Sequence, residues 1–398
     1  MNIGHQPRVV LLGMMSRTPV AGVVWQTIHY LLGLQRLGCD VFYVEAHGCT
    51  PRCFLNTSED DGHAQAASFI DATMRRFGFH GRWCYHAVHE EEGRYLGMSR
   101  TQLNDLFASA ELIINLHGGT VPLPEHYATR RLVYLETDPV ELQIELHDNR
   151  QDTIDFLEPH CAFFTFGENL GNPDCSLPVD ARFEFKPTRQ PVVMDLWEEH
   201  GRGAGNGLLT TIGNWRQFHR QIFFKDETYH WSKHFEFLKF ADLPARTPQR
   251  FELALSSYTE EDRTFLESNG WRVRGGLDIS NDIDTYRSYI AGSRGEFTVA
   301  KDQNVRLRSG WFSDRSATYL AAGRPVITQE TGFSNVLPTG RGLFGFSNMD
   351  DLVSAIDCIN SDYETHCRCA REIAREYFNY DVVLGALLDD VGVTIISK

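Results

Sequence analysis

The residue types best able to do chemistry cluster between Arg308 and Thr328. Arg308, Arg315 and Arg324 bring cations to this stretch, and Gly310 lets the backbone approach a ligand. Ser313 and Asp314 are good N-cap residues for a helix expected over about 315–322. Gly323 supplies the stop, and Pro325 prevents continuation. A helix N-terminus presents N–H groups without intrahelical partners and partial positive charge, which suits a phosphate. With the cations, the pattern points to a nucleoside diphosphate bound in the second half of a two-domain enzyme.

Other candidates stand where strands should end. Lys301 follows an apolar run over 296–300, where a cation would face a cleft and pair with a diphosphate. In Thr211-Ile212-Gly213-Asn214-Trp215-Arg216, Gly213 permits close approach and Arg216 can neutralise charge, although an ordinary β–α turn explains them equally. Gln329 and Glu330 offer hydrogen bonds to sugar hydroxyls, or else cap a turn. Asp314 is either a helix cap or a ribose ligand. His117, in Asn115-Leu116-His117-Gly118-Gly119, is a titratable group beside a flexible pair of glycines. Glu136 and Asp138 are its rivals at the next strand end. The loop 14–22 has no GxGxxG, so a dinucleotide is poorly supported there. The aromatic run Tyr229-His230-Trp231, with Phe235, Phe237 and Phe240, reads as core.

These residues need strands and helices to hold them. Apolar strand-like runs at 8–15, 40–46, 111–116, 132–136 and 161–166 alternate with helical segments at 25–37 and 64–77. A second series runs over 208–212, 251–255, 296–300, 325–328 and 342–346, with helices at 260–268, 283–291 and 349–359. Alternation of this kind implies α/β layers on parallel sheets. The polar, Gly-rich stretch 198–207 divides the two series. The expected fold is α/β, two Rossmann-like doubly wound domains facing a cleft, covering residues 1–197 and 206–378. The final segment, 379–398, is expected to return to the first domain.

Composition bounds the function. The 398 residues suit two domains, and 42% hydrophobic with 23% charged content is that of a globular protein. The net charge of −15 argues against nucleic acid or an anionic membrane as the main partner. No run reaches the ~20 apolar residues needed to span a bilayer, and no secretory pattern opens the chain. Nine scattered cysteines without a CxxC pair read as free thiols in a reducing cytoplasm.

The stretch at Arg308 resembles the donor-binding signature of the GT-B glycosyltransferases that use UDP-sugars. Ser309-Gly310-Trp311-Phe312-Ser313 and Ala322-Gly323-Arg324-Pro325-Val326 carry the match. Arg308 replaces the usual His, the spacing is two residues longer, and Thr318 stands where an acid is usual. The paired glutamates of the retaining families are absent, their places being Gly310 and Thr318. The resemblance implies a cytoplasmic, metal-independent transferase with a nucleotide-sugar donor and a small-molecule or glycan acceptor. It implies no cofactor, the acceptor in the first domain and the donor in the second. Donor contacts would come from Gly213, Arg216, Lys301, Arg308, Gly310, Ser313, Asp314, Arg315, Gln329 and Glu330. The missing glutamates favour inversion, which needs a base, with His117 the candidate and Glu136 and Asp138 the rivals. A nucleotide-sugar epimerase or a non-catalytic nucleotide-sugar-binding protein would share this architecture.

Overall fold

The computed structural model describes all residues except 1–5, 52, 54, 56, 58, 59, 91, 92, 199–204, 218, 219 and 396–398. The stretch 198–207, expected to divide the domains, therefore falls largely outside the described residues.

Two parallel sheets organise the chain. The first contains β1 (Arg8–Leu12), β2 (Asp40–His47), β3 (Trp83–Ala87), β4 (Arg94–Leu96), β5 (Leu112–Leu116), β6 (Leu132–Glu136), β7 (Ala162–Thr165) and β8 (Phe185–Pro187). Its spatial order is β4-β3-β2-β1-β5-β6-β7-β8, parallel except for the β3–β4 pair. A hairpin follows, β10 (Gln221–Phe224) with β11 (Glu227–His230), after β9 (Leu208–Asn214). The second sheet adds β12 (Arg250–Ser256), β13 (Arg272–Gly275), β14 (Gly295–Thr298), β15 (Val326–Gln329) and β16 (Leu343–Phe346). Its order is β13-β12-β9-β14-β15-β16.

Strands covered on both faces read as continuous apolar runs. Hence β1, β5 and β6 were legible in the sequence. Six strands were not, the short edge strand β4 among them. Trp83-Cys84-Tyr85-His86-Ala87 mixes polar and aromatic residues, and the exposed edge β13 carries two arginines. The short β8 is only partly covered. The hairpin turns on Lys225 and Asp226, both left-handed at φ 50° and 61°, without the glycine that usually marks such a turn. It corrects part of the aromatic run at 229–231 from helical core to strand.

In each sheet the strand order reverses beside its first strand, between β1 and β5 and between β9 and β14. Loops leaving the two neighbours diverge there and open a crevice. The helix Ala21–Arg36 packs on both the helix Ile283–Gly292 and the helix Tyr380–Asp390. Trp25 Nε1 donates to the Ile283 carbonyl at 2.9 Å. The C-terminal segment returns to the first sheet's side, where Val192 and Asn379 form a parallel bridge.

The crevices are locked face to face by a second joint. Asn169, fully buried after β7, donates from Nδ2 to the Arg308 carbonyl at 2.9 Å, and its backbone N–H reaches the Ser309 carbonyl at 3.1 Å. Gly310 has φ 82°, and a Cβ there would lie 2.3 Å from the Asn169 nitrogen. The close approach expected of Gly310 is thus to the opposite loop. Gly310→Ala should lower the unfolding free energy by at least about 2 kcal/mol, since the left-handed Cβ penalty alone is about 1–2 kcal/mol. A urea midpoint equal to the parent's would show that the two loops do not meet in solution.

Candidate active site

The first crevice is built around His117. After β5 the chain doubles back, with His117 and Gly118 both left-handed at φ 65° and 61°. Asn115 staples this turn, donating to the Thr120 carbonyl at 2.9 Å and accepting from the Thr120 N–H at 3.3 Å. Gly118 is required, because a Cβ would lie 2.6 Å from the Tyr134 ring. His117 Nδ1 lies 2.9 Å from Thr137 Oγ1, while its enclosed Nε2 has no partner among the described residues. A strained histidine with an idle ring nitrogen calls for a functional explanation. Burial lowers its pKa to about 4, so the ring is neutral near pH 7.

The rival carboxylates behave differently. Glu136 is buried and accepts from Gln143 Nε2 at 2.8 and 3.1 Å and from Thr165 Oγ1 at 2.5 Å. Burial raises its pKa to about 7, against the pull of those hydrogen bonds. Both of its oxygens are committed. Asp138 pairs with Lys301 of the opposite sheet through Oδ2, and its Oδ1 is buried without a partner among the described residues. Lys301 Nζ also lies 3.7 Å from the Trp231 ring centroid, and the Arg220 guanidinium 3.4 Å from it. Burial lowers the pKa of Lys301, opposed by Asp138. A cavity of about 580 Å³ occupies this space, lined by Met14, His117, Glu136, Asp138, Arg220 and Trp231 among others.

The second crevice, between β9 and β14, holds most of the other expected residues, but many are engaged. Gly213 faces open space. Arg216 forks onto Asp262 at 2.8 and 2.6 Å, and its third nitrogen is 3.3 Å from His234. Arg315 donates to Glu296 at 2.6 Å, the Ile212 carbonyl at 2.6 Å and Thr298 Oγ1 at 3.0 Å. Arg308 pairs with Asp174 at 2.8 Å beside the Asn169 joint. Gln329 bonds Glu236 at 2.7 Å and the Ala300 N–H at 3.2 Å, and Glu330 accepts from the Gly332 N–H at 2.6 Å. These side chains hold protein, not open space.

What remains available is the start of the helix Asp314–Ala321, which begins one residue earlier than expected. Ser313 occupies the N-cap position with extended backbone, yet its side chain makes no capping bond. Asp314 follows, its pKa raised by burial against the pull of Arg315 and Lys233. Lys233 is the residue the sequence reading passed over. Its Nζ lies 5.3 Å from the Trp311 ring and makes no hydrogen bond or ion pair among the described residues. Burial, then Arg315 and Lys301, lower its pKa to about 7. Trp311 in turn donates from Nε1 to the Thr137 carbonyl at 3.0 Å, next to His117. The signal was a lysine inside an aromatic run, which folds under cover and keeps its charge in the cleft. The structure therefore gathers His117, Asp138, Lys301 and Lys233 at the facing crevices, and spends Arg216, Arg308, Arg315, Gln329 and Glu330 on internal contacts.

No protein-family model matches the chain, and no curated protein matches it in sequence. Solved structures do match in fold. An alpha-glucosyltransferase in complex with UDP and a 13-mer DNA containing a HMU base superposes with TM-score 0.58 at 9% identity, over 98% of this chain and 100% of that one. Sucrose-phosphate synthase from Thermosynechococcus elongatus gives 0.56 at 12% identity, over 98% and 99%. HepE of Anabaena in complex with UDP and glucose gives 0.55 at 13% identity, over 98% and 100%. The chain has the GT-B fold of these glycosyltransferases along its whole length. Among the described residues no helix is long and apolar enough to cross a membrane.

The buried ring of His117 makes a pH prediction. Its pKa is lowered from 6.5 to about 4, so between these values the unfolded chain binds the proton and the folded chain does not. Folding stability is indifferent to this ring above pH 6.5 and falls as the pH drops toward 4. In His117→Gln the stability loss across that window, followed by urea unfolding, should be shallower by up to about one proton. An unchanged slope would mean that the ring titrates as it does in water.

Proposed function

We propose that this protein is a glycosyltransferase that moves a sugar from a UDP-sugar to a small-molecule or glycan acceptor. The observation that carries the reading is Lys233, a half-buried lysine without an ion-pair partner among the described residues, whose field reaches Asp314 at the N-terminus of the helix Asp314–Ala321, where Ser313 supplies no side-chain cap. A diphosphate is the ligand that suits both: the ammonium neutralises one oxygen, and another takes up the helix N–H groups, displacing the Asp314 carboxylate that bonds to them. Open space at Gly213, the other lip of the same crevice, leaves room for the nucleoside. Lys301 and Arg220 stand beside this position and would share the developing charge of the leaving group, which is why no metal is invoked.

His117 faces the donor from the other sheet. With Nδ1–H donating to Thr137, Nε2 is a free lone pair suited to accept the acceptor's hydroxyl proton. That role belongs to an inverting transfer. The likeness to an alpha-glucosyltransferase favours retention instead, in which His117 would orient the sugar. The anomeric configuration of the first-formed product, read by NMR, separates the two. The alpha-glucosyltransferase is solved with DNA, but the net charge of −15 here favours a smaller acceptor over a phosphate backbone.

Two substitutions test the assignment. Lys233→Met removes the charge and keeps the stem. It should weaken UDP binding by about tenfold or more, the roughly 1.5–3 kcal/mol of a charge-assisted hydrogen bond, and leave uridine binding nearly unchanged. Because the free lysine has a pKa of about 7, UDP affinity in the parent should also fall as pH rises through that value. Calorimetry showing equal UDP affinity in parent and variant at pH 6 would remove Lys233 from the site. His117→Ala should reduce turnover by roughly 10²–10⁴ if the ring is the general base, with UDP affinity retained. Near-normal turnover in a folded variant would move the search to Asp138.

A further inference from the structure

Away from the β9–β14 crevice, the outer half of the first sheet carries a group of side chains that the transfer reaction does not use. His63 opens the helix Gly62–Arg76, His89 and Glu90 follow β3, and Thr50 follows β2. One ring nitrogen each of His63 and His89 and a Glu90 carboxylate oxygen all lie within 4.8 Å of one another. We propose that His63, His89 and Glu90 form a binding site for a divalent transition-metal ion, Zn²⁺ by preference, that ties the loop after β2 to the turn after β3.

The orientation of the two rings carries the proposal. His89 Nδ1 lies 3.3 Å from the His47 carbonyl, an acceptor only, so Nδ1 bears the proton and Nε2 the lone pair. His63 Nδ1 lies 2.8 Å from the Tyr85 hydroxyl, which can accept in the same way. Metal-bound histidines are held like this, the remote nitrogen bonded to protein and the near one bare. The rings sit 5.3 Å apart. Two ligands of a tetrahedral zinc, each about 2.0–2.2 Å from the ion, stand about 3.3 Å apart. His63 Nε2 and Glu90 Oε1 are 3.3 Å apart. Thr50 Oγ1 lies 3.4 and 3.3 Å from the two Nε2 atoms, and as a donor its one proton serves a lone pair on either.

The supports are built in as well. Asp61 caps the helix through the N–H groups of His63 and Ala64 at 3.1 Å each, and is itself gripped by Arg94 of β4. Two imidazoles with one carboxylate suit zinc and its neighbours, whereas Mg²⁺ and Ca²⁺ demand oxygen. Three protein ligands leave a fourth position open. The neighbours in sequence, Cys49 and Val88, line a cavity of about 470 Å³ with His47, Arg17 and Val121. An ion here would fix that cavity's wall. The inference does not depend on the transferase reading.

The full-length chain, stripped with a chelator and titrated with ZnCl₂ in a calorimeter, should bind one ion. The same ion should raise the melting temperature. His89→Ala and Glu90→Gln, at partly exposed positions that leave the fold intact, should each reduce the affinity at least about 100-fold. Tyr85→Phe, which removes only the hydroxyl behind His63, should reduce it roughly 10–100-fold. Affinity unaltered in all three would assign the ion to other histidines or cysteines and overturn the site. So would the absence of saturable binding, or equal competition by Mg²⁺.

Discussion

The buried pair of Arg315 and Glu296 sets the geometry on which the second crevice depends. The Glu296 side chain is fully buried and that of Arg315 is 11% exposed. Taking both charges out of water is costly, and their attraction alone seldom repays it. Two further hydrogen bonds, to the Ile212 carbonyl on β9 and to Thr298 on β14, complete the arginine. One side chain in the first turn of a helix thus grips both strands that flank the switch point. The helix N-terminus is therefore fixed between β9 and β14, with its N–H groups aimed into the gap. Removing either partner would strand the other in a medium that cannot solvate it, and the orientation of the helix would go with it.

This explains how the cation-rich stretch was legible while its roles were not. The sequence marks Arg216 and Gln329 as polar residues at strand ends and Arg308 as a loop cation, and they are. Their partners lie 46, 134 and 93 residues away, in Asp262, Asp174 and Glu236. No local pattern announces such distant carboxylates, so residues that look available are already satisfied. His117 was legible because its glycines advertise a tight turn beside a buried strand. Lys233 was not, because the run Trp231-Ser232-Lys233-His234 reads as core, and only the fold shows that the lysine stem crosses this cover with its ammonium left bare. The sheets were legible wherever both faces are covered. The edge strands and the glycine-free hairpin were missed because their residues answer to neighbours rather than to local preference.

A chain with a net charge of −15 nevertheless assembles Lys233, Lys301, Arg220 and Arg315 around one cleft. Low-dielectric walls concentrate this local field, while the acidic exterior repels competing polyanions. Burial first, and then repulsion from Arg315 and Lys301, lowers the pKa of Lys233. That repulsion is relieved in part by Asp138, which meets Lys301 across the cleft. Glu296 and Glu141 likewise pair with Arg315 and Arg220, which leaves Lys233 as the cation of the four with no ion pair among the described residues.

The hairpin β10–β11 gives the cleft a mechanical character. It belongs to the second half of the chain, yet Ile222, Phe224 and Tyr229 pack into one apolar cluster with Val140 and Ile144 beside β6. Phe223, between them, stays 69% exposed on the outer side. The hairpin is therefore a strap sewn to both halves. Any rotation that widens the cleft on this side must peel apolar side chains from their seat and wet them. A twist about the strap leaves that seat dry. Opening the cleft on this side is therefore costlier than torsion around the hairpin, and the difference is set by the grip of a few aliphatic and aromatic side chains that lie outside the crevices.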